Sequence, residues 1–452
     1  MTQKNSPLVL GTERTGKLLT QYAIPAIIAM TASSLYNIAD SIFIGHGVGP
    51  LAISGLALTF PLMNLAAAFG SLVGAGAATL LSLKLGQRDY ESANRVLGNV
   101  FVLNILLGIA FTIVSLIFLD PVLYFFGASD QTIQYAREYM EIILMGNVVT
   151  HMYLGLNAVL RSAGFPRLAM YATLASVVIN CILNPIFIFG FGWGIKGSAW
   201  ATVISQLISL GFQLRHFSKS SNLIHFRKGI YRLKGELVKD IFSIGMSPFL
   251  MNLCASLVVI LINRGLKEHG GDLAIGAYGI VNRLSSLFVM IIMGLNQGMQ
   301  PIAGYNYGAR LFPRVMEITK LTLKIGIAIS TTGFLLAQII PGTMVRIFTT
   351  DPELVDIATK GLRVAFAVFP IVGFQMVATN FFLSIGMPRK SIFLSLSRQL
   401  IFLVPFLIIL PQFWGTLGVW ISIPFADVTA AIITWFVLMN QFKKFKTARE
   451  SD

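Results

Sequence analysis

The chain has 452 residues, of which 55% are hydrophobic and 12% charged, with a mean hydropathy of +0.75. That is about half the charge of an average soluble domain, which excludes a soluble enzyme or binding module in favour of a polytopic membrane protein. The formal charge of +15 does not indicate nucleic acid, because the basic residues recur in short clusters between apolar stretches instead of gathering on one face beside stacking aromatics.

Residues 1–17 are polar and lack an apolar core ending in a small-residue cleavage site, so no cleaved signal peptide is expected. At about 20 predominantly apolar residues per crossing, the rest reads as twelve transmembrane helices: 18–44, 52–81, 96–119, 138–160, 168–190, 194–214, 241–263, 274–300, 321–342, 361–383, 391–411 and 416–440. The chain runs past the same points twice, about 222 residues apart. Gly164-Phe165-Pro166-Arg167 returns as Gly386-Met387-Pro388-Arg389, Gly86 with Arg88 as Gly308 with Arg310, and Gly194/Gly197 as Gly415/Gly418. The expected fold is therefore all-α, two pseudo-symmetric six-helix bundles at 18–214 and 241–440, flanked by an N-terminal segment (1–17), a linker (215–240) and a tail (441–452). Repeats of even span number insert in the same orientation, and a duplicated bundle is the usual frame of a secondary transporter.

Short positively charged loops stay cytoplasmic. With the N-terminus inside, the cytoplasmic segments hold 24 of the 34 Lys and Arg residues, among them Lys4, Arg14 and Lys17, seven between Arg215 and Lys239, and four from Lys443 to Arg449. Both termini are expected in the cytoplasm, and the basic stretch from Arg215 to Lys239 reads as a solvated inter-bundle linker.

An ionisable side chain at membrane depth costs about 2.5 to 3.5 kcal/mol, so it normally faces a partner or a cavity and marks function. Asp40 lies in the first span, with Tyr36 and Asn37 on the same helical face; it serves either a functional site or the outer interface, since Ile44 and His46 follow closely. Pro25 is expected to kink this helix and act as a hinge. Asn180 and Asn184 stand one turn apart beside Pro185 and offer neutral oxygen ligands or buried structural amides, and Thr202 could add a hydroxyl or bond its own backbone. The second half offers further intramembrane polar residues, Asn296 and Gln399 among them, and the candidates for a substrate cavity are Tyr36, Asn37, Arg283, Gln297, Gln300, Arg398 and Asp427; pairing of Arg283 or Arg398 with Asp427 would be purely structural. The position matching Asp40 there is Asn263, so any ion chemistry is not duplicated.

Enzyme and pump chemistry find no support. The string Gly11 to Leu18 resembles a phosphate loop but has Leu18 where a Ser or Thr must hold magnesium, and no strand precedes it. The five histidines are scattered near span ends, and Cys181 and Cys254 fall inside apolar runs without metal-ligand spacing. A channel is disfavoured by two large asymmetric repeats without a filter-like loop.

The run Tyr36-Asn37-Ile38-Ala39-Asp40 with Gly45 and Gly49, the loop Gly86 to Tyr90, the run Asn180 to Gly190, and Gly294 to Ala309 resemble the multidrug and toxic compound extrusion (MATE) transporters, in particular the prokaryotic DinF-like and MepA-like branch. The resemblance covers essentially the whole chain. It implies a central cavity and export of organic cations or other amphipathic compounds against H+ or Na+ across a prokaryotic plasma membrane. It also implies a proton or Na+ site at Asp40, Asn180, Asn184 and Thr202, with Pro25 as the bending proline. One departure is Asn184, where many DinF-like relatives carry aspartate; the acidic C-terminal-lobe site of the NorM-like branch has no evident counterpart. No cofactor beyond the coupling ion is expected, the partners are small amphipathic molecules and membrane lipid, and the chain is expected to act as a monomer. The alternative is a related transporter or flippase for a lipid-linked or anionic cargo.

Overall fold

A computed structural model describes residues 7–450; Lys4 and the side chains of Asn37 and Arg449 lie outside the described residues, as do the extreme ends of segments 1–17 and 441–452. The helices of the first half are α1 (Thr15–Gly47), α2 (Pro50–Gly86), α3 (Tyr90–Ile117), α4 (Leu119–Phe125), α5 (Ile133–Met145), α6 (Asn147–Ser162), α7 (Pro166–Pro185) and α8 (Gly194–Phe217). The second half holds α9 (Gly235–Gly308), α10 (Phe312–Ile339), α11 (Pro341–Arg346), α12 (Pro352–Ala365), α13 (Phe369–Ser384), α14 (Pro388–Leu396) and α15 (Val404–Glu450). The chain breaks from helical geometry at Gly271 inside α9 and at Gly415 inside α15, so each is two helices in series.

Among the described residues eight stretches are long and apolar enough to cross a membrane, and two bent pairs bring the number to ten. Helix α8 and the division of α15 at Gly415 complete the twelve-helix, two-bundle layout. The bent pairs are α5 with α6, at 55°, and α12 with α13, at 53°. Spans 138–160 and 361–383 are therefore broken rather than straight. At the first break a Cβ on Gly146 would lie 2.4 Å from Val203, so the bend follows where α8 crowds the backbone; at the second, Pro370 stands at the start of α13, where its missing N–H costs no helical bond.

Small and polar residues are enriched where helices pack together in lipid. On α3 the residues Asn94, Asn99, Asn104, Gly108 and Ser115 are buried, whereas Leu106, Ile109, Ile113 and Ile117 are exposed.

The duplication is visible in the backbone. Arg88 and Arg310, 222 positions apart, are the two non-glycine residues with positive φ among the described residues, at 60° and 57°. Left-handed backbone disfavours a side chain, so its recurrence at matching arginines marks the same turn made twice. Gly164 and Gly386 repeat the pattern.

Contacts divide the chain into two units, residues 1–12 with 28–249 and residues 13–27 with 250–452. The first unit has an apolar core around Ile44, Leu56, Leu123, Tyr139 and Ile195, and the second one around Leu266, Phe366, Phe369 and Trp420. The sequence-based bundles at 18–214 and 241–440 follow the spans, whereas residues 13–27, which include the start of α1, fall with the second unit. The reason is close backbone contact with α9, where a Cβ on Gly298 would stand 2.5 Å from Ala23 Cα and one on Gly294 would stand 2.6 Å from Ile27 Cα.

The stretch after α8 departs from a freely solvated linker. Asn94 Nδ2 donates to Leu223 O, His225 N donates to Asn94 Oδ1, Asn99 Nδ2 reaches Ile230 O and Arg232 O, and Lys234 N donates to Asn99 Oδ1. Ile224 and Ile230 are buried while the basic residues Arg227, Lys228 and Arg232 remain exposed. Two asparagines on α3 thus satisfy the backbone of a loop that lacks secondary structure of its own, the accounting that buried polar backbone demands.

Candidate functional site

Helices α1, α7 and α8 each bring one polar face to a common point in the first unit. Asp40, on the last third of α1, is buried, and its Oδ1 accepts from Asn184 Nδ2 at 2.7 Å and from Ser198 Oγ. Asn184 Nδ2 also donates to Asn180 Oδ1 at 3.1 Å, and Asn180 Nδ2 donates to Thr202 Oγ1 at 3.2 Å. The Tyr36 hydroxyl meets Thr202 Oγ1 at 3.0 Å, and Tyr139 of α5 engages the same threonine. The residues repeat at helical spacing: Tyr36 and Asp40, Asn180 and Asn184, Ser198 and Thr202 are each four apart, which sets each pair on one face.

The structure therefore brings together Asp40, Asn180, Asn184, Thr202 and Tyr36 in one hydrogen-bonded cluster, in which Asp40 is buried. Sequence reasoning missed Ser198 and Tyr139. Ser198 was legible as one turn before Thr202; nothing local ties Tyr139 to α8. Pro25 is buried inside α1, which continues as helix on both sides of it, and the helix passes from one unit to the other after Ile27.

Two of the other candidates pair with each other. Arg398 pairs with Asp427 at 2.7 Å, the structural alternative for those two. Arg283 is exposed on α9 and outside that pair; Gln297 is partly buried and Gln300 buried farther along the same helix.

The cluster holds one carboxylate among neutral oxygens. Among the described residues no Lys, Arg or His neutralises Asp40, and no group of three or more His, Cys, Asp or Glu is present. Hard oxygen donors suit a proton or an alkali cation and not a transition metal. Asn184 Oδ1 is buried without a hydrogen-bond partner, beside the carboxylate, so the donor set fits a cation that would accept that lone pair.

Twelve membrane helices in two duplicated bundles, with an acid buried in the interior of the first, define a polytopic transporter. The MatE family profile matches residues 25–186 and 245–409, and the chain belongs to that family of multidrug transporters. It is 28% identical over 425 residues to the multidrug export protein MepA of Staphylococcus haemolyticus (strain JCSC1435), covering 94% of this chain and 93% of that one. It is 29% identical over 422 residues to MepA of Staphylococcus aureus (strain N315), covering 93% of each. Among solved structures it resembles an outward-facing MATE family multidrug resistance transporter of the MOP superfamily, with a TM-score of 0.92, 25% identity and coverage of 99% and 100%. It also resembles the MATE multidrug transporter DinF-BH, with a TM-score of 0.88, 36% identity and coverage of 95% and 96%.

Proposed function

We propose that this transporter exports organic cations and other amphipathic compounds in exchange for H+ or Na+, by alternating access, from a prokaryotic cell whose plasma membrane holds it with both termini in the cytoplasm. The observation that carries the coupling is the buried, uncompensated Asp40 beside the unpartnered oxygen of Asn184. A charge buried without a counter-ion is costly, and binding H+ or Na+ at Asp40, with Asn180, Asn184 and Thr202 as neutral ligands, removes that cost. Loading changes the bonds from Asn184 and Ser198 to Asp40, and α1 repacks about Pro25. A substrate that favours the unloaded arrangement and an ion that favours the loaded one then drive each other across the membrane, because each shifts the population only through its differential affinity. Asn184 in place of a second carboxylate leaves a one-acid site, consistent with one cation per cycle.

The partners are small amphipathic molecules and lipid, the coupling ion is the single inorganic requirement, and the functional unit is a monomer. The test is efflux of a fluorescent organic cation from proteoliposomes under a proton gradient, then a sodium gradient, for wild type and Asp40→Asn. Gradient-driven efflux lost in the mutant supports exchange at Asp40; full ion-driven efflux in Asp40→Asn overturns it. The exposed intramembrane Arg283 favours a second reading, a lipid-linked or anionic cargo. That reading gains if neither gradient moves the cation through folded protein.

A further inference from the structure

The Asp40 cluster is one end of a longer feature. Along α8 the residues Ser198, Thr202, Ser205, Ser209 and Gln213 recur at spacings of four, three, four and four, a single helical face, and all five are buried. Facing it on α7 are Asn184, Asn180, Ser176 and Thr173, at spacings of four, four and three. The contacts set the antiparallel register. Asn184 and Ser198 share Asp40 Oδ1, Asn180 bonds Thr202, and Ser176 bonds Ser205 at 3.5 Å. Continued by the same steps, the register puts Thr173 opposite Ser209 and Ala169 opposite Gln213. At that level Tyr153 engages Thr173 and Ser176, Asn157 Nδ2 donates to Ala169 O at 2.9 Å, and Arg161 Nη1 donates to Asn157 Oδ1.

Small polar residues between membrane helices often serve packing alone. The independent observation here is that Ser209 Oγ and both amide atoms of Gln213 have no hydrogen-bond partner, although both residues are fully buried. Buried polar groups in proteins are satisfied by protein or by ordered water, and a water site needs two to four polar partners. The second repeat does not keep a continuous polar face. Of the positions 222 later, Ser395, Arg398 and Asp427 are polar, but Phe402 and Phe406 on one helix and Trp420, Pro424, Ala431 and Trp435 on the other are apolar.

From the facing stripes of α7 and α8 we infer a hydrated polar track inside the first unit, running from the Asp40 cluster to the end of the unit that carries Arg161, Arg167 and Arg215, by which the coupling cation exchanges with the compartment on that side. The role of the track rests on the ion-coupled reading above; its hydration does not.

Radiolytic hydroxyl-radical footprinting of the full-length protein tests hydration directly. Tyr153, 6% exposed, is expected to oxidise at a rate within about threefold of the exposed Tyr231, and the double substitution Ser209→Ala with Gln213→Leu to slow it toward the rate of Tyr278, which is buried in the apolar core of the second unit. Replacing unpartnered polar groups by apolar ones does not cost the fold a hydrogen bond. A wild-type Tyr153 as slow as Tyr278, or one unaffected by the substitutions, overturns the track. In proteoliposomes the double variant is expected to drive efflux at least about fivefold more slowly with unchanged substrate affinity; an unchanged rate removes the track from coupling. Footprinting reads the same whether or not the protein exchanges ions, so loss of the transport reading is told apart from loss of the track.

Discussion

Arg398 Nε donates to Asp427 Oδ1 across 2.7 Å, and the two residues stand 222 positions after Ser176 and Ser205, whose hydroxyls meet at 3.5 Å. One helix-to-helix contact of the duplicated fold thus carries a neutral pair in the first half and an ion pair in the second. The first half keeps its carboxylate instead at Asp40, where no cation offsets it.

Asp427 is almost fully buried while the Arg398 side chain is 28% exposed. Removing one partner of a buried pair costs about 3 to 5 kcal/mol, and partial exposure of the arginine puts Asp427→Ala near the lower end. Arg398→Ser combined with Asp427→Ser re-creates the neutral contact of the first half and is expected to recover most of that loss. Thermal unfolding of the purified variants decides, and a double variant no more stable than Asp427→Ala contradicts the symmetry argument.

Helices α2 and α9 cross at two glycines in the first unit. A Cβ on Gly76 would come 2.0 Å from Ile241 O, and one on Gly245 would come 1.7 Å from Leu72 O. Gly245→Ala is expected to destabilise by about 3 kcal/mol or more, since the obstacle is backbone and cannot rotate away. Gly211→Ala on α8, with no heavy atom within 4 Å, is expected to be neutral or to stabilise by up to about 1 kcal/mol. Melting curves for the pair separate a packing glycine from an incidental one.

The segment after α8 is held by Asn99, whose Nδ2 donates to two backbone carbonyls and whose Oδ1 accepts from one backbone N–H. Asn99→Ala leaves these groups without their partner, a loss of about 1 to 3 kcal/mol. Limited trypsin digestion at the exposed Arg227, Lys228 and Arg232 is expected to run roughly tenfold faster, the factor that about 1.4 kcal/mol of local opening supplies. Equal digestion rates in wild type and variant would show that the asparagine does not hold the segment.

Asp89 caps α3 by accepting from Ser92 N at 3.0 Å. Burial pushes its carboxyl up, but the hydrogen bonds from Ser92 and the charge of Lys84 outweigh this and hold it below the usual carboxylate range. A depressed pKa means that the folded state favours the ionised form. The stabilisation is therefore present above the unfolded pKa of about 3.9 and is lost as pH falls through the lower folded value. Asp89→Ala is expected to be about 1 kcal/mol less stable at pH 7, with the gap to wild type closing below about pH 4. A gap that stays constant down to about pH 3 means that the charge of Asp89 contributes nothing.

Twelve spans, two repeats and the polar positions Asp40, Asn180, Asn184 and Thr202 were legible because hydropathy, helical spacing and duplication are written along the chain itself. The doubled left-handed arginines Arg88 and Arg310 show the same information surviving into backbone geometry. Bends at Gly146 and before Pro370 were not legible, since a bend within an apolar run leaves the hydropathy unchanged.

What tertiary structure alone decided is which groups meet. Ser198 reaches Asp40 from 158 residues away, Asn94 and Asn99 fasten a segment about 130 residues later in the chain, and Arg398 rather than Arg283 takes Asp427. Spacing places a side chain on a face of its own helix, but the partner on another helix depends on the crossing and rotation of both, and those follow from the packing of the whole bundle.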